Sequence, residues 1–159
     1  MSPVSVLFLH AWARALVVMH AIAALALAGS TTHSSIIAFG MLRGRPHPRL
    51  SRIYALVSTG AYLVTVALGA LAYPTYRYEV RGLYLDRYAV WASNLFDMKE
   101  SFAALGLPLI LGACGLRLFA SPDENELVRL PYALMVMGAT AIVWFATISG
   151  LLIALEKGV

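Results

Sequence analysis

The chain alternates long apolar stretches with short polar connections. The apolar stretches cover residues 14–42, 53–73, 95–119 and 131–155. Each is long enough to cross a bilayer as a helix, because about 20 residues at 1.5 Å per residue span the roughly 30 Å hydrocarbon layer. The alternation of apolar and polar residues that is typical of strands is missing. The pattern therefore predicts an all-α integral membrane protein, an antiparallel four-helix bundle in which residues 1–159 form a single domain.

The first apolar stretch predicts a long first helix. Ser2 and Pro3 resemble a helix cap followed by proline at the first helical position, and no turn residue follows until Gly44. A helix over residues 3–42 would be about 60 Å long, roughly twice the hydrocarbon thickness. We therefore expect the segment VSVLFLHAWAR to project from the membrane, with His10 as a solvated surface residue.

The connections indicate the orientation. The segment RGRPHPRLSR carries four arginines, and short basic loops of this kind favour the cytoplasmic side. Pro74 is expected to end the second helix. The stretch from Pro74 to Glu100 contains four tyrosines and one tryptophan, which predicts an aromatic loop at the headgroup level. The prediction is a multi-pass protein of the cell inner membrane, with both termini and the aromatic loop in the periplasm.

Composition supports the membrane assignment. Hydrophobic residues make up 60% of the chain and charged residues 13%, whereas soluble domains have about 45–50% and about 25%. The net charge of +4 comes mostly from arginines at segment ends, which favours contact with lipid headgroups over nucleic acid. The single cysteine, Cys114, excludes an internal disulfide and is expected to be a small buried hydrophobe.

Several catalytic motifs are missing, so the candidate chemistry rests on histidines. The chain has no phosphate-binding glycine loop, no CxxC pair, no HExxH and no GxSxG. Phosphoryl transfer, zinc hydrolysis and serine hydrolysis therefore have no support from sequence motifs. His20 and His33 lie within the first apolar stretch, 13 positions apart. That spacing is about 20 Å along a helix, too far to share one metal. The other three helices lack histidine, so this chain alone cannot assemble a bis-histidine haem site.

His20 is the main candidate for a haem ligand. Its neighbours are Met19 and alanines, which offer no hydrogen bond, so an iron, a carboxylate such as Glu100 or an ordered water must satisfy the imidazole. Lys99, at the head of the third helix, is predicted at nearly the same depth. It can act there as a neutral ligand, or its ammonium can reach the headgroups or pair with Asp97 or Glu100.

His33 is predicted to be structural. Five hydroxyl side chains surround it in sequence, at Ser30, Thr31, Thr32, Ser34 and Ser35. Hydroxyls and imidazoles commonly form hydrogen bonds between membrane helices. The pattern therefore predicts an interhelical hydrogen-bond node, and the alternative is a cofactor-binding role as a ligand or quinone contact.

The order of these features resembles a known family. An early histidine in helix one, SRIYALVSTGAYLVTVALGA in helix two and a lysine at the start of helix three are similar to the four-helix, haem-binding protoporphyrinogen oxidases of bacteria. His20 with His33, YPTYRYEVR at 73–81 and NLFDMKESFAALGL at 94–107 are similar to small uncharacterised inner-membrane proteins. The resemblance to the oxidases implies His20 and Lys99 as haem ligands or catalytic residues.

Three functions remain open from the sequence. The main prediction is an accessory subunit of a larger respiratory or photosynthetic electron-transfer complex, without catalytic activity of its own, packed against catalytic subunits and contacting a b-type haem or quinone. It is preferred because the predicted spans hold no complete catalytic constellation. The alternatives are a haem-binding electron-transfer protein in its own right and a membrane oxidoreductase acting on a porphyrin-like substrate.

Overall fold

The computed structural model describes residues 9–157, and its helices follow the predicted apolar stretches. The helices are α1 (Ala13–Leu42), α2 (Pro48–Thr75), α3 (Val90–Phe119) and α4 (Glu126–Glu156). All four belong to helical segments long and apolar enough to cross a membrane, and residues 9–157 contain no strand. The predicted all-α four-helix bundle is confirmed, and the chain is a multi-pass membrane protein.

The helices pack in chain order around a square. α1 contacts α2 and α4, and α3 contacts the same two neighbours, so α1 and α3 lie on a diagonal. We call the end with the connections 43–47 and 120–125 the turn end. The opposite end, which holds the starts of α1 and α3, is called the terminal end.

Small residues allow the helices to approach closely. The central core cluster combines two alanines with larger side chains from all four helices: Leu27, Ala28, Tyr62, Ile110, Ala139 and Val143. Further clusters at the turn end and the terminal end also contain buried alanines. Such packing is typical of membrane bundles, in which the hydrophobic effect between helices is weak and van der Waals contact carries the association.

The stretch expected to be an aromatic loop is instead helical. α2 continues through Pro74 to Thr75, and a π-helical segment follows at Tyr76–Leu85. Proline removes one backbone hydrogen bond, and a wider helical repeat can follow such a defect. Val80 and Leu85 are fully buried in the terminal core cluster, so tertiary packing holds the segment in helical form.

The first helix is shorter than predicted. Leu9 has a left-handed φ of 57°, which an α-helix cannot accommodate, and a 3-10 turn at His10–Trp12 precedes α1. The His10 side chain is 38% exposed, in line with the expected surface position, and its Nε2 lies 2.8 Å from a carboxylate oxygen of Glu79, which ties this turn to the π-helical segment. Residues 1–8, including the predicted cap at Ser2 and Pro3, lie outside the described residues.

The last two helices begin earlier than their apolar stretches. α3 starts at Val90 and α4 at Glu126. The Asn125 side chain accepts a hydrogen bond from the backbone N–H of Leu127 at 3.0 Å and thereby caps α4. Pro131, the predicted start of the fourth span, lies inside that helix. The apolar stretches predicted which parts of the chain cross the membrane. The start of α4 is set by the polar cap at Asn125 instead.

Candidate functional site

His20 is held by the backbone of α2. Its Nδ1 atom lies 2.9 Å from the carbonyl oxygen of Thr65. Because a carbonyl oxygen only accepts, Nδ1 must carry the proton, and the neutral ring keeps a lone pair on Nε2. Among residues 9–157, Nε2 has no hydrogen-bond partner of its own. The expectation that an iron, a carboxylate such as Glu100 or an ordered water must satisfy the imidazole is wrong for Nδ1, because a carbonyl oxygen of α2 does so.

A glycine on α2 makes this contact possible. A Cβ atom added at Gly69 would lie 3.1 Å from Cε1 of His20 and 3.2 Å from Nδ1. Those distances are tighter than ordinary van der Waals contact, so the imidazole ring lies directly against the α2 backbone. A glycine inside an apolar helix is the signal in the sequence that could have located this approach.

Lys99 lies at the same end of the bundle as His20. Its Nζ atom would be 3.6 Å from a Cβ added at Gly150 on α4, and it lies 5.6 Å from the centre of the Phe96 ring. Their helices are diagonal in the bundle, and the two residues lie at similar distances from the starts of α1 and α3. The structure therefore places the two predicted residues at the same end of the bundle and at similar depth.

Lys99 does not form the ion pairs that the sequence offered. Among the described residues, Nζ has no hydrogen bond and no carboxylate within ion-pair distance, including those of Asp97 and Glu100. Asp97 pairs instead with Arg81, with an Nη1–Oδ1 distance of 2.6 Å. Nζ of Lys99 is therefore left without a direct hydrogen-bond or ion-pair partner among the described residues.

An aromatic group covers this part of the terminal end. Phe96 stacks on Tyr76 with ring centres 5.3 Å apart and on Tyr73 at 6.4 Å. The guanidinium of Arg81 lies 5.7 Å from the centre of the same ring. Aromatic faces attract cations, so Lys99 and Arg81 are both favoured beside Phe96. The group keeps the surroundings of Lys99 largely apolar.

His33 lies elsewhere, and its predicted role as an interhelical node is wrong. Its side chain is exposed, and Nδ1 donates to the carbonyl oxygen of Gly29 in the same helix at 2.9 Å. The neighbouring hydroxyls point to other faces of α1. Ser34 bonds to Ser58 of α2 at 3.1 Å, and Ser35 bonds to Thr140 of α4 at 2.7 Å. Successive helical residues are rotated by about 100°, so sequence neighbours of His33 need not contact it.

The turn end contains a buried ion pair that was not predicted from the sequence. Arg117 of α3 lies 2.5 Å from a carboxylate oxygen of Asp123 and donates to the Pro48 carbonyl oxygen at 2.7 Å. This arginine therefore joins the end of α3 to the first residue of α2 and to the connection 120–125. A signal was present in the sequence, because Arg117 precedes an acidic turn by only a few residues.

The donor set fits a haem ligand better than a multidentate metal site. Residues 9–157 contain no group of three or more His, Cys, Asp or Glu side chains that could hold a metal ion. Haem iron needs only one or two protein ligands, and a histidine ligand typically donates its other N–H to a carbonyl or carboxylate. His20 has this arrangement. The chain matches no family model, no curated protein and no solved structure.

Proposed function

We propose that this chain binds a b-type haem through His20 and serves as a membrane subunit of an electron-transfer complex, packed against larger subunits. The observation that carries the proposal is the hydrogen bond between Nδ1 of His20 and the Thr65 carbonyl oxygen. It fixes the tautomer, holds the ring in place and increases the basicity of Nε2, which are the three properties that a haem ligand needs. The haem, when bound, supplies reversible one-electron transfer.

The surroundings of His20 support this role. Gly69 lets the ring lie against α2. The Lys99 side chain could hold a haem propionate as the ammonium, or ligate the iron as the neutral amine. The aromatic group of Tyr73, Tyr76 and Phe96 lies beside Lys99 and offers apolar ring surface to a cofactor. These residues hold and shield a cofactor without forming a complete catalytic constellation, which favours a subunit over a free-standing enzyme.

His33 provides a matched control for the haem proposal. Both histidines lie on α1 and have Nδ1 2.9 Å from a backbone carbonyl oxygen, but that oxygen belongs to α2 for His20 and to α1 itself for His33, and only the His20 ring lies against a glycine of the neighbouring helix. Titration of the purified chain with hemin should give a Soret band in the wild type and in His33→Ala. The band should be lost in His20→Ala, because among the described residues only His20 has an imidazole held by the backbone of another helix. An undiminished band in His20→Ala, or no band in the wild type, would refute the proposal.

Lys99 favours one second candidate, a membrane oxidoreductase acting on a porphyrin-like substrate. An ammonium without a counterion can bind the carboxylates of such a substrate, and Nε2 of His20 can accept a proton from it. The resemblance to the oxidase family points the same way. Conversion of a reduced porphyrin by the purified chain with an added quinone, which would be reduced to the quinol as the porphyrin is oxidised, distinguishes this candidate, because an electron-transfer subunit leaves the porphyrin unchanged.

The orientation is part of the proposal. We place the terminal end in the periplasm and the basic turn in the cytoplasm of the inner membrane, because the four arginines at 43–52 are concentrated at the turn end. Alkaline phosphatase should therefore be active when fused after Tyr88 and inactive when fused after His47. The reverse pattern would invert the orientation and leave the haem proposal intact.

A further inference from the structure

His33 exposes an imidazole to the hydrocarbon layer. α1 has 30 residues and is about 45 Å long, so each end extends about 7 Å beyond a centred hydrocarbon layer of about 30 Å. His33 lies nine residues before the last residue of α1 and hence about 6 Å inside the hydrocarbon. Ionisable side chains at this depth normally face protein or a cavity, because lipid offers them no hydrogen bond. A partner that covers His33 is therefore expected.

Two polar atoms are left without partners on this face. Nδ1 of His33 donates to Gly29, so Nε2 of the neutral ring is an acceptor. Tyr54 of α2 stacks on His33 with ring centres 5.3 Å apart and an angle of 4° between the planes. Within the part of the chain that the structure describes, neither Nε2 nor the Tyr54 hydroxyl has a hydrogen bond. The face thus presents one acceptor on α1 beside one donor on α2, at the same depth.

The surface beside His33 admits another helix. A Cβ atom added at Gly29 would meet nothing within 4 Å, and Ala26, Gly29 and His33 are all exposed on α1. On α2, Val57 is 50% exposed close to Tyr54 in sequence. Small residues at helical spacing let the backbones of two membrane helices approach closely. We call these five residues, Ala26, Gly29, His33, Tyr54 and Val57, the His33–Tyr54 face.

We propose that the His33–Tyr54 face pairs with the same face of a second copy of this chain. Copies with the same topology are related by a two-fold axis parallel to the helices. The axis lies between the two copies, in front of the midpoint between the His33 and Tyr54 rings. Nε2 of His33 in each copy then lies opposite the Tyr54 hydroxyl of the other copy. A second copy satisfies both atoms in both copies, because the donor of each face meets the acceptor of the other. This inference does not depend on the haem proposal.

Reciprocal pairing predicts a preference that can be measured. His33→Leu copies retain the donor, and Tyr54→Phe copies retain the acceptor, so a mixed dimer keeps one hydrogen bond while each mutant homodimer keeps none. Full-length copies carrying two different fluorophores should be mixed in liposomes and their energy transfer measured. Mixed dimers should be enriched about three-fold over the ratio expected from random pairing, the effect of one such bond in a membrane.

Two further variants keep the test decisive. Gly29→Leu should abolish dimerisation without loss of helix, because the new side chain enters open space and leucine favours helix over glycine. Trp144→Phe removes another exposed hydrogen-bonding aromatic, which bonds to Thr32 at 2.9 Å on the α4 side of α1, and should change nothing. Wild-type copies that stay single in lipid, or mutants that pair at random, would overturn the proposal.

Discussion

Arg117→Met is expected to destabilise the folded bundle by about 3–5 kcal/mol, the usual effect of removing one partner of a buried ion pair. The Arg117 side chain is 7% exposed and that of Asp123 is 10% exposed. Loss of the guanidinium leaves a buried carboxylate without its countercharge and removes the donor to the Pro48 carbonyl oxygen. The free energy of unfolding, measured by denaturant titration in mild detergent, would show the effect.

Two comparisons separate the lost charge pair from a general effect of losing an arginine. Arg52→Ala removes an exposed arginine from the same end of the bundle and should change stability by less than about 0.5 kcal/mol. The double variant Arg117→Met with Asp123→Asn should be more stable than Arg117→Met alone, because no buried charge is then left unpaired. If Arg117→Met unfolds like the wild type, the ion pair does not stabilise the turn end.

The ends of the bundle differ in how their buried charges are satisfied. At the turn end, Arg117 has both an ion pair and a backbone acceptor, and Ser51 bonds to the Tyr132 hydroxyl at 3.0 Å. At the terminal end, neither Nζ of Lys99 nor Nε2 of His20 has a hydrogen bond among the described residues. The turn end also keeps unpaired buried atoms, because Nε of Arg117 and one carboxylate oxygen of its partner have no hydrogen bond. The candidate site is placed at the terminal end because a histidine and a lysine, which can act as ligands, lie there.

The architecture was predictable because it follows from apolar length. Four stretches long enough to cross a bilayer predict four helices, and the described residues contain them. The helix ends were less predictable. The π-helical segment Tyr76–Leu85 depends on the burial of Val80 and Leu85 against other helices, and a sequence pattern read locally contains no such contact.

For the candidate site, the sequence predicted the depth of two side chains but not the backbone atom that holds one of them. Placing His20 and Lys99 at one depth needed only the helical rise and the antiparallel order. The Thr65 carbonyl oxygen could not be predicted, because every residue has the same backbone acceptor and only packing selects one. His33 was misplaced for the opposite reason, since its polar neighbours in sequence lie on other faces of α1.

Gly106→Ala is expected to destabilise the bundle by about 1–3 kcal/mol through overpacking, although alanine favours helix. A Cβ atom at this position would collide with the hydroxyl of Tyr62 and lie 3.1 Å from Cγ2 of Ile142. Tyr62 cannot easily move away, because its ring is buried and its hydroxyl donates to the Ala103 carbonyl oxygen at 2.5 Å. Thermal unfolding in detergent would measure the loss.

A double-mutant cycle identifies the cause. Tyr62→Phe removes the atom that collides, so Gly106→Ala should cost less in that background, with a coupling free energy of about 1 kcal/mol between the two sites. Gly115→Ala on the same helix is the matched control, because its added Cβ would meet nothing within 4 Å and should leave stability unchanged or slightly increased. Equal losses at Gly106 and Gly115, or additive effects of Gly106→Ala and Tyr62→Phe, would show that α2 and α3 do not depend on this close approach.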